Sequence, residues 1–127
     1  MKPLGPKGNL KYRKSIFNFR TDSETLSPTL TSPKNSILIF DGVFLLREEL
    51  INFWDYKIFI DVDFEESVKR SSERDKDLFG SSEAARERYL KRYIPGQEIY
   101  LKTINPKALA DAVLKNDNPE KPVLIIK

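Results

Sequence analysis

The chain is predicted to fold as an α/β protein of strands layered with helices, and three observations point there. Ile37-Leu38-Ile39-Phe40 is a continuous apolar run closed by Asp41-Gly42, Ile58-Phe59-Ile60 is a second closed by Asp61-Val62-Asp63, and residues 43–53 between them suit a short helix with Phe44, Leu45, Leu46, Leu50 and Phe53 apolar. Continuous rather than alternating apolar runs are expected of strands covered on both faces, as in a parallel sheet. The order strand, helix, strand favours right-handed crossovers.

Each remaining element has its own signal. The first ten residues hold Pro3, Gly5, Pro6 and Gly8 and read as a loop, residues 11–20 are rich in aromatics and read as extended, and the Ser/Thr/Pro stretch 21–33 reads as a connection or part of a hairpin. Asp63 is placed to cap a polar helix over residues 64–77, with Glu65 and Glu66 in its first turn. A second helix is expected over residues 82–104, kinked or split at Pro95-Gly96. Ala112-Val113-Leu114 and Val123-Leu124-Ile125-Ile126 read as short strands about an Asn116-Asp117-Asn118-Pro119 turn.

With 127 residues, 39% hydrophobic and 32% charged, the chain fits one soluble domain. No stretch reaches the roughly 20 apolar residues that span a bilayer, and no apolar signal core opens the sequence, so a soluble cytoplasmic protein without membrane contact is expected. The absence of cysteine and histidine excludes disulfides, thiolate chemistry and an imidazole base. Chemistry would rest on carboxylates, Lys/Arg and hydroxyls. The balance of 22 basic against 19 acidic residues does not favour a general polyanion surface, and no groove-reading motif points to nucleic acid. Between positions 69 and 92, however, eight basic residues stand against five acidic ones, which favours a local anionic ligand.

Asp41, at the carboxyl end of an expected parallel strand, would sit at the ligand edge of an open α/β sheet, where a carboxylate can hold Mg²⁺ directly or through water. An Asp-Gly pair equally serves to turn the chain. Arg70 and Arg74, four apart on a helix, face the same way, and an anion would relieve their repulsion. The alternative is a solvated face on which Glu66 pairs with Arg70 and Arg74 and Asp75 are surface charges. Arg86, Arg88, Lys91 and Arg92 read as a solvated face, and Tyr89, Tyr93 and Tyr100 as packing residues.

Taken in order, "ILIFDGVFLL" at 37–46 and "DYKIFIDVDFEESVKRSSERD" at 55–75 resemble the uridine kinase family, P-loop nucleoside kinases of the uridine kinase and phosphoribulokinase kind. The resemblance continues through "YLKRYIPGQEIY" at 89–100 and "NPKALADAVLKND" at 105–117, and more loosely before Ser36. It implies an incomplete P-loop-kinase-type parallel sheet with flanking helices in a single domain, residues 1–35 forming the substrate-side hairpin and 36–127 the core strands, lid helix and carboxy-terminal elements. It implies ATP-dependent phosphorylation of a pyrimidine nucleoside with Mg²⁺. By position, Asp41 matches a Mg²⁺-associated acidic residue that is usually Glu, Arg70 and Arg74 match lid arginines on the phosphate side, and Tyr12, Arg13 and Arg20 fall on the nucleoside-holding hairpin.

The 127 residues contain no G-x-x-x-x-G-K-[ST] loop and no Gly-Lys pair, and in the resembled family that loop and the carboxylate that takes the nucleoside's proton lie upstream. The expectation is a kinase-like chain inactive alone, able to hold nucleoside and ATP only when completed by a P-loop half. The alternative is a non-catalytic binding or interaction domain that keeps part of the fold. In the resembled fold the P-loop strand lies beside residues 37–40, so an open sheet edge there, self-association and marginal stability are also expected.

Overall fold

The computed structural model describes every residue except Met1, Pro6, Phe19 and Arg20, with Lys2 described by its backbone alone. The chain divides into two compact units, Met1–Asp41 and Gly42–Lys127.

The first unit is built from nested hairpin pairs. Strand β1 (Lys11–Tyr12) pairs antiparallel with β4 (Leu30–Thr31), and inside it β2 (Phe17–Asn18) pairs with β3 (Ser23–Glu24). Ser27 fastens the two rungs, accepting from the Ser15 N–H at 3.1 Å and donating to the Ser15 carbonyl at 2.7 Å. The Ser/Thr/Pro stretch is thus the returning arm of a hairpin. Residues 37–40 depart from expectation: they form no strand, and Ile37 and Ile39 are 90% and 88% exposed. An apolar run becomes a strand only where neighbouring backbone pairs with it, and no ladder partner flanks this one among the described residues. The expectation that residues 37–40 and 58–60 share one parallel sheet is therefore corrected.

The second unit holds the α/β part. Residues 43–53 give only a short helix α1 (Glu48–Ile51), because Phe44 takes a left-handed φ of 62° and ends any earlier helical run. Phe44 is kept there by packing: its ring meets Tyr100 edge-on at 5.2 Å, and the Tyr100 hydroxyl accepts from the Leu46 N–H at 3.0 Å. Strand β5 (Ile58–Asp61) follows, then helix α2 (Phe64–Arg74), whose cap Asp63 accepts from the Glu65 N–H at 2.8 Å as the sequence predicts.

Helix α3 (Lys76–Phe79) ends on Gly80 at φ 91°, and Ser81 caps α4 (Ser82–Arg88) by accepting from the Ala84 N–H. The split expected near Pro95 takes the form of a π-helical turn, Tyr89–Tyr93, before α5 (Ile94–Ile104). Proline lacks an N–H and crowds the carbonyl four residues back, so a continuous α-helix fails here. The Ile94 N–H reaches instead to the Tyr89 carbonyl, five residues back. Asn105, left-handed at φ 49°, stops α5, and the fully buried Pro106 opens α6 (Pro106–Leu109).

Strand β6 (Ala112–Lys115) runs parallel to β5 with Ile58 opposite Ala112, and β7 (Val123–Ile126) closes the sheet antiparallel to β6. The sheet is therefore mixed, with one parallel pair, rather than wholly parallel. Nor is it covered on both faces. Phe59 is half-buried and Val113 buried on one face, whereas Ile58, Ile60, Leu124 and Ile126 share the other and are exposed. Among the described residues no helix is long and apolar enough to cross a membrane.

The helices pack on small residues. Val68, Ser71 and Ser72 form the buried face of α2, and both serine hydroxyls are satisfied by donating to carbonyls one turn back at 2.6 Å. Opposite them on α4, Ala85 is completely buried. Because Ala85 is wholly buried where α4 meets α2, Ala85→Leu is expected to lower stability by about 1–3 kcal/mol, the usual range for overpacking. Urea unfolding followed by circular dichroism measures it, and a variant as stable as the parent would mean that the two helices are not tightly apposed.

Candidate functional site

The carboxyl ends of β5 and β6 lie side by side, and Asp61, Asp63, Arg70 and the turn at Asn116-Asp117 meet there. The Asp63 N–H donates to Asp117 Oδ1 at 2.8 Å, and the Asn116 N–H to the Asp61 carbonyl at 2.9 Å, so the start of α2 is fastened to the turn after β6. Arg70 spans the same two elements. Its Nε donates to Glu66 Oε1 at 2.9 Å, and its two terminal nitrogens donate to the carbonyls of Asn116 (2.9 Å) and Asp117 (2.5 Å). Three of its five N–H donors are thereby used, and Glu66 balances its charge.

Arg74 turns to other partners. Its side chain, 70% exposed, grips the next residue in a two-point fork, Nε to Asp75 Oδ1 at 2.8 Å and Nη2 to Asp75 Oδ2 at 2.9 Å. Nη2 also donates to the Tyr89 hydroxyl at 3.0 Å, and that hydroxyl donates to Asp75. The hydrogen bonds from Arg74 and then Tyr89 hold the Asp75 carboxyl at about 2, below its ordinary 3.8. The bond to Asp75 raises Arg74, and burial followed by the same carboxylate raises the Tyr89 phenol. The two arginines, neighbours on α2, thus bond to different elements: Arg70 to the β6–β7 turn, Arg74 to Asp75 and the π turn.

The other predicted residues belong to the first unit. Tyr12 is half-buried in β1 opposite Leu30, and Arg13 donates from Nε to Thr29 Oγ1 at 3.3 Å. Arg20 lies outside the described residues. Asp41 is exposed at the end of the irregular stretch 37–41. Among the described residues no group of three or more carboxylates, histidines or cysteines is arranged to hold a metal ion.

Three partnerships escaped the sequence reading. Asp75 and Tyr89 lie 14 residues apart and are joined only when α3 and α4 fold back on α2. Two of the three acceptors for Arg70 are the backbone carbonyls of Asn116 and Asp117, which no side-chain pattern reveals. Asp111 clamps Lys57, accepting from its N–H at 2.8 Å and from Nζ at 2.9 Å, across 54 positions. An Asp at the start of one strand and a Lys at the start of another is the faint signal for that clamp.

The low Asp75 value sets a pH dependence. A carboxyl whose folded value lies below its unfolded one adds stability that is present above about pH 4 and is lost as pH falls towards 2. Asp75→Asn should therefore be less stable than the parent at pH 5–7, with the gap closing between about pH 4 and 2. Urea midpoints measured across that range test this, and a gap that stays constant down to pH 2 would mean that the carboxylate charge is not what holds the cluster.

No family model, curated protein or solved structure matches this chain.

Proposed function

We infer that this chain supplies the lid and sheet portion of a uridine-kinase-type nucleoside kinase, which phosphorylates a pyrimidine nucleoside with ATP, and that it does not turn over alone. The observation that carries this reading is the join at the carboxyl edge of the parallel pair β5–β6, where the capped start of α2, Arg70 and the turn after β6 meet. In open α/β sheets ligands bind at that edge, outside the carboxyl ends of the strands. Arg74, mostly exposed and one helical turn further along, is the lid arginine with freedom to exchange its partner. A phosphate arriving there would compete with Asp75 for the guanidinium, while Tyr89 keeps its bond to the Asp75 carboxylate. Arg70, by contrast, would act by holding α2 against the turn.

Phosphoryl transfer is catalysed by positioning and electrostatic stabilisation, and both depend on a phosphate cradle that these 127 residues do not contain. ATP and Mg²⁺ would be held chiefly by a strand, P-loop and helix supplied from outside them. Tyr12 and Arg13 of the hairpin would contribute to the nucleoside side and Asp41 to the metal. A second reading, a non-catalytic interaction domain, is favoured by the exposed apolar sheet face of Ile58, Ile60, Leu124 and Ile126.

The test is turnover. The purified chain with Mg²⁺-ATP and uridine or cytidine should give no nucleoside monophosphate, whereas mixing it with a uridine-kinase-type P-loop half should. Arg74→Ala should then reduce the rate at least about tenfold, as loss of a charge that stabilises the transferring phosphoryl group does. Turnover by the chain alone that Asp41→Ala abolishes would overturn the reading, and complementation insensitive to Arg74→Ala would remove the lid assignment.

A further inference from the structure

The helical cluster carries a second group of cations. Phe79 at the end of α3, Ala84 and Arg88 of α4, and Lys91 and Arg92 of the π turn line an open cleft of about 340 Å³, together with Glu87. Glu87 is already satisfied: Lys91 pairs with it, and that hydrogen bond holds its carboxyl below the ordinary carboxylate value. With one carboxylate against three cations the cleft has a net charge of plus two.

Arg88 and Arg92 have no anionic partner among the described residues. The Arg88 guanidinium stacks over the Phe79 ring, 5.1 Å from its centroid, an arrangement that orients the group while leaving its N–H edge unspent. The backbone supports the same reading. The π-helical turn that precedes Pro95 brings Lys91 and Arg92 to the cleft that Arg88 lines from the preceding α-helix.

We propose that this cleft binds a small phosphate monoester, its phosphoryl oxygens taken by Arg88 and Arg92 and its organic part resting on Phe79 and Ala84. Guanidinium forks match phosphate oxygens in pairs, which an ammonium does not, and the two arginines are the groups left without anions. The apolar side of the cleft suits an ester over inorganic phosphate. Its volume falls in the range of small-ligand sites, about 300–1,000 Å³. A single-stranded nucleic acid would call for a longer basic track with a series of stacking rings, and this cleft offers one ring. The site uses neither Arg70 nor Arg74, so it stands or falls apart from the kinase reading.

Phenyl phosphate is the probe, titrated into the isotopically labelled full chain and followed by amide and arginine Nε–H resonances. Saturable binding in the millimolar range or tighter is expected, with the largest shifts at Phe79, Arg88 and Arg92, weaker binding of inorganic phosphate and none of phenol. Arg88→Gln combined with Arg92→Gln should weaken binding at least tenfold, whereas Arg86→Gln, a charge loss on the same helix outside the cleft, should change it less than twofold. If the double variant is poorly folded, the parent's arginine resonances decide: shifts at Arg88 and Arg92 support the site, and their absence overturns it. Equal affinity for phenyl phosphate and inorganic phosphate, equal losses in all arginine variants, or tighter binding of a single-stranded RNA oligomer at the same residues would each overturn the assignment.

Discussion

The second unit depends on one parallel strand pairing that closes across more than fifty residues. β5 and β6 meet only after the chain has run through the whole helical excursion, and loop closure of that length has an entropic cost that the pairing and its attachments must exceed. Both ends of the ladder are pinned. At the start, Asp111 accepts from the backbone and side chain of Lys57, and the N–H groups of Asp111 and Ala112 both donate to the Lys57 carbonyl. At the finish, Asn116 and Asp117 bond to Asp61 and Asp63. With register fixed at both ends, the start of α2 and the turn after β6 are held together, and Arg70 is placed where it can join them.

Within the helical cluster the apolar contribution is modest. Its buried positions are Val68, Ala85 and Ile94 with two serines, so close approach rather than bulk holds α2 to α4. The same economy leaves cations on the outer surfaces of these helices. They divide by what surrounds them: Arg70 is built into the frame, Arg74 forks onto the neighbouring Asp75 carboxylate, and Arg88 and Arg92 face an open cleft. A single stretch of sequence rich in Arg and Lys thus contains three different environments, and only the fold sorts them.

Much of the second unit was legible in the sequence because its signals are local. The Asp63 cap, the interruption near Pro95, the strand at residues 58–60 and the two short strands either side of the turn at 116–119 follow from residue types within a few positions of each other. Two expectations failed because they depended on distant neighbours. Ile37-Leu38-Ile39-Phe40 has the composition of a buried strand, but burial requires a partner and a cover that composition cannot supply. Ile58 and Ile60 do form a strand, yet their outward face stays open. The pairing of Glu66 with Arg70 was visible as a four-residue spacing, whereas the two carbonyls that complete the arginine's environment lie 46 and 47 residues away.

The central claim is that the pinned β5–β6 pairing positions α2 and Arg70, and native-state hydrogen exchange on Asp111→Ala tests it most directly. The account predicts that the β6 amides and those of the first two turns of α2 lose protection together, since removing the clamp loosens the ladder that holds both. Loss of protection confined to β6, with α2 unchanged, would show that the helix is positioned by the helical cluster alone and would contradict the account.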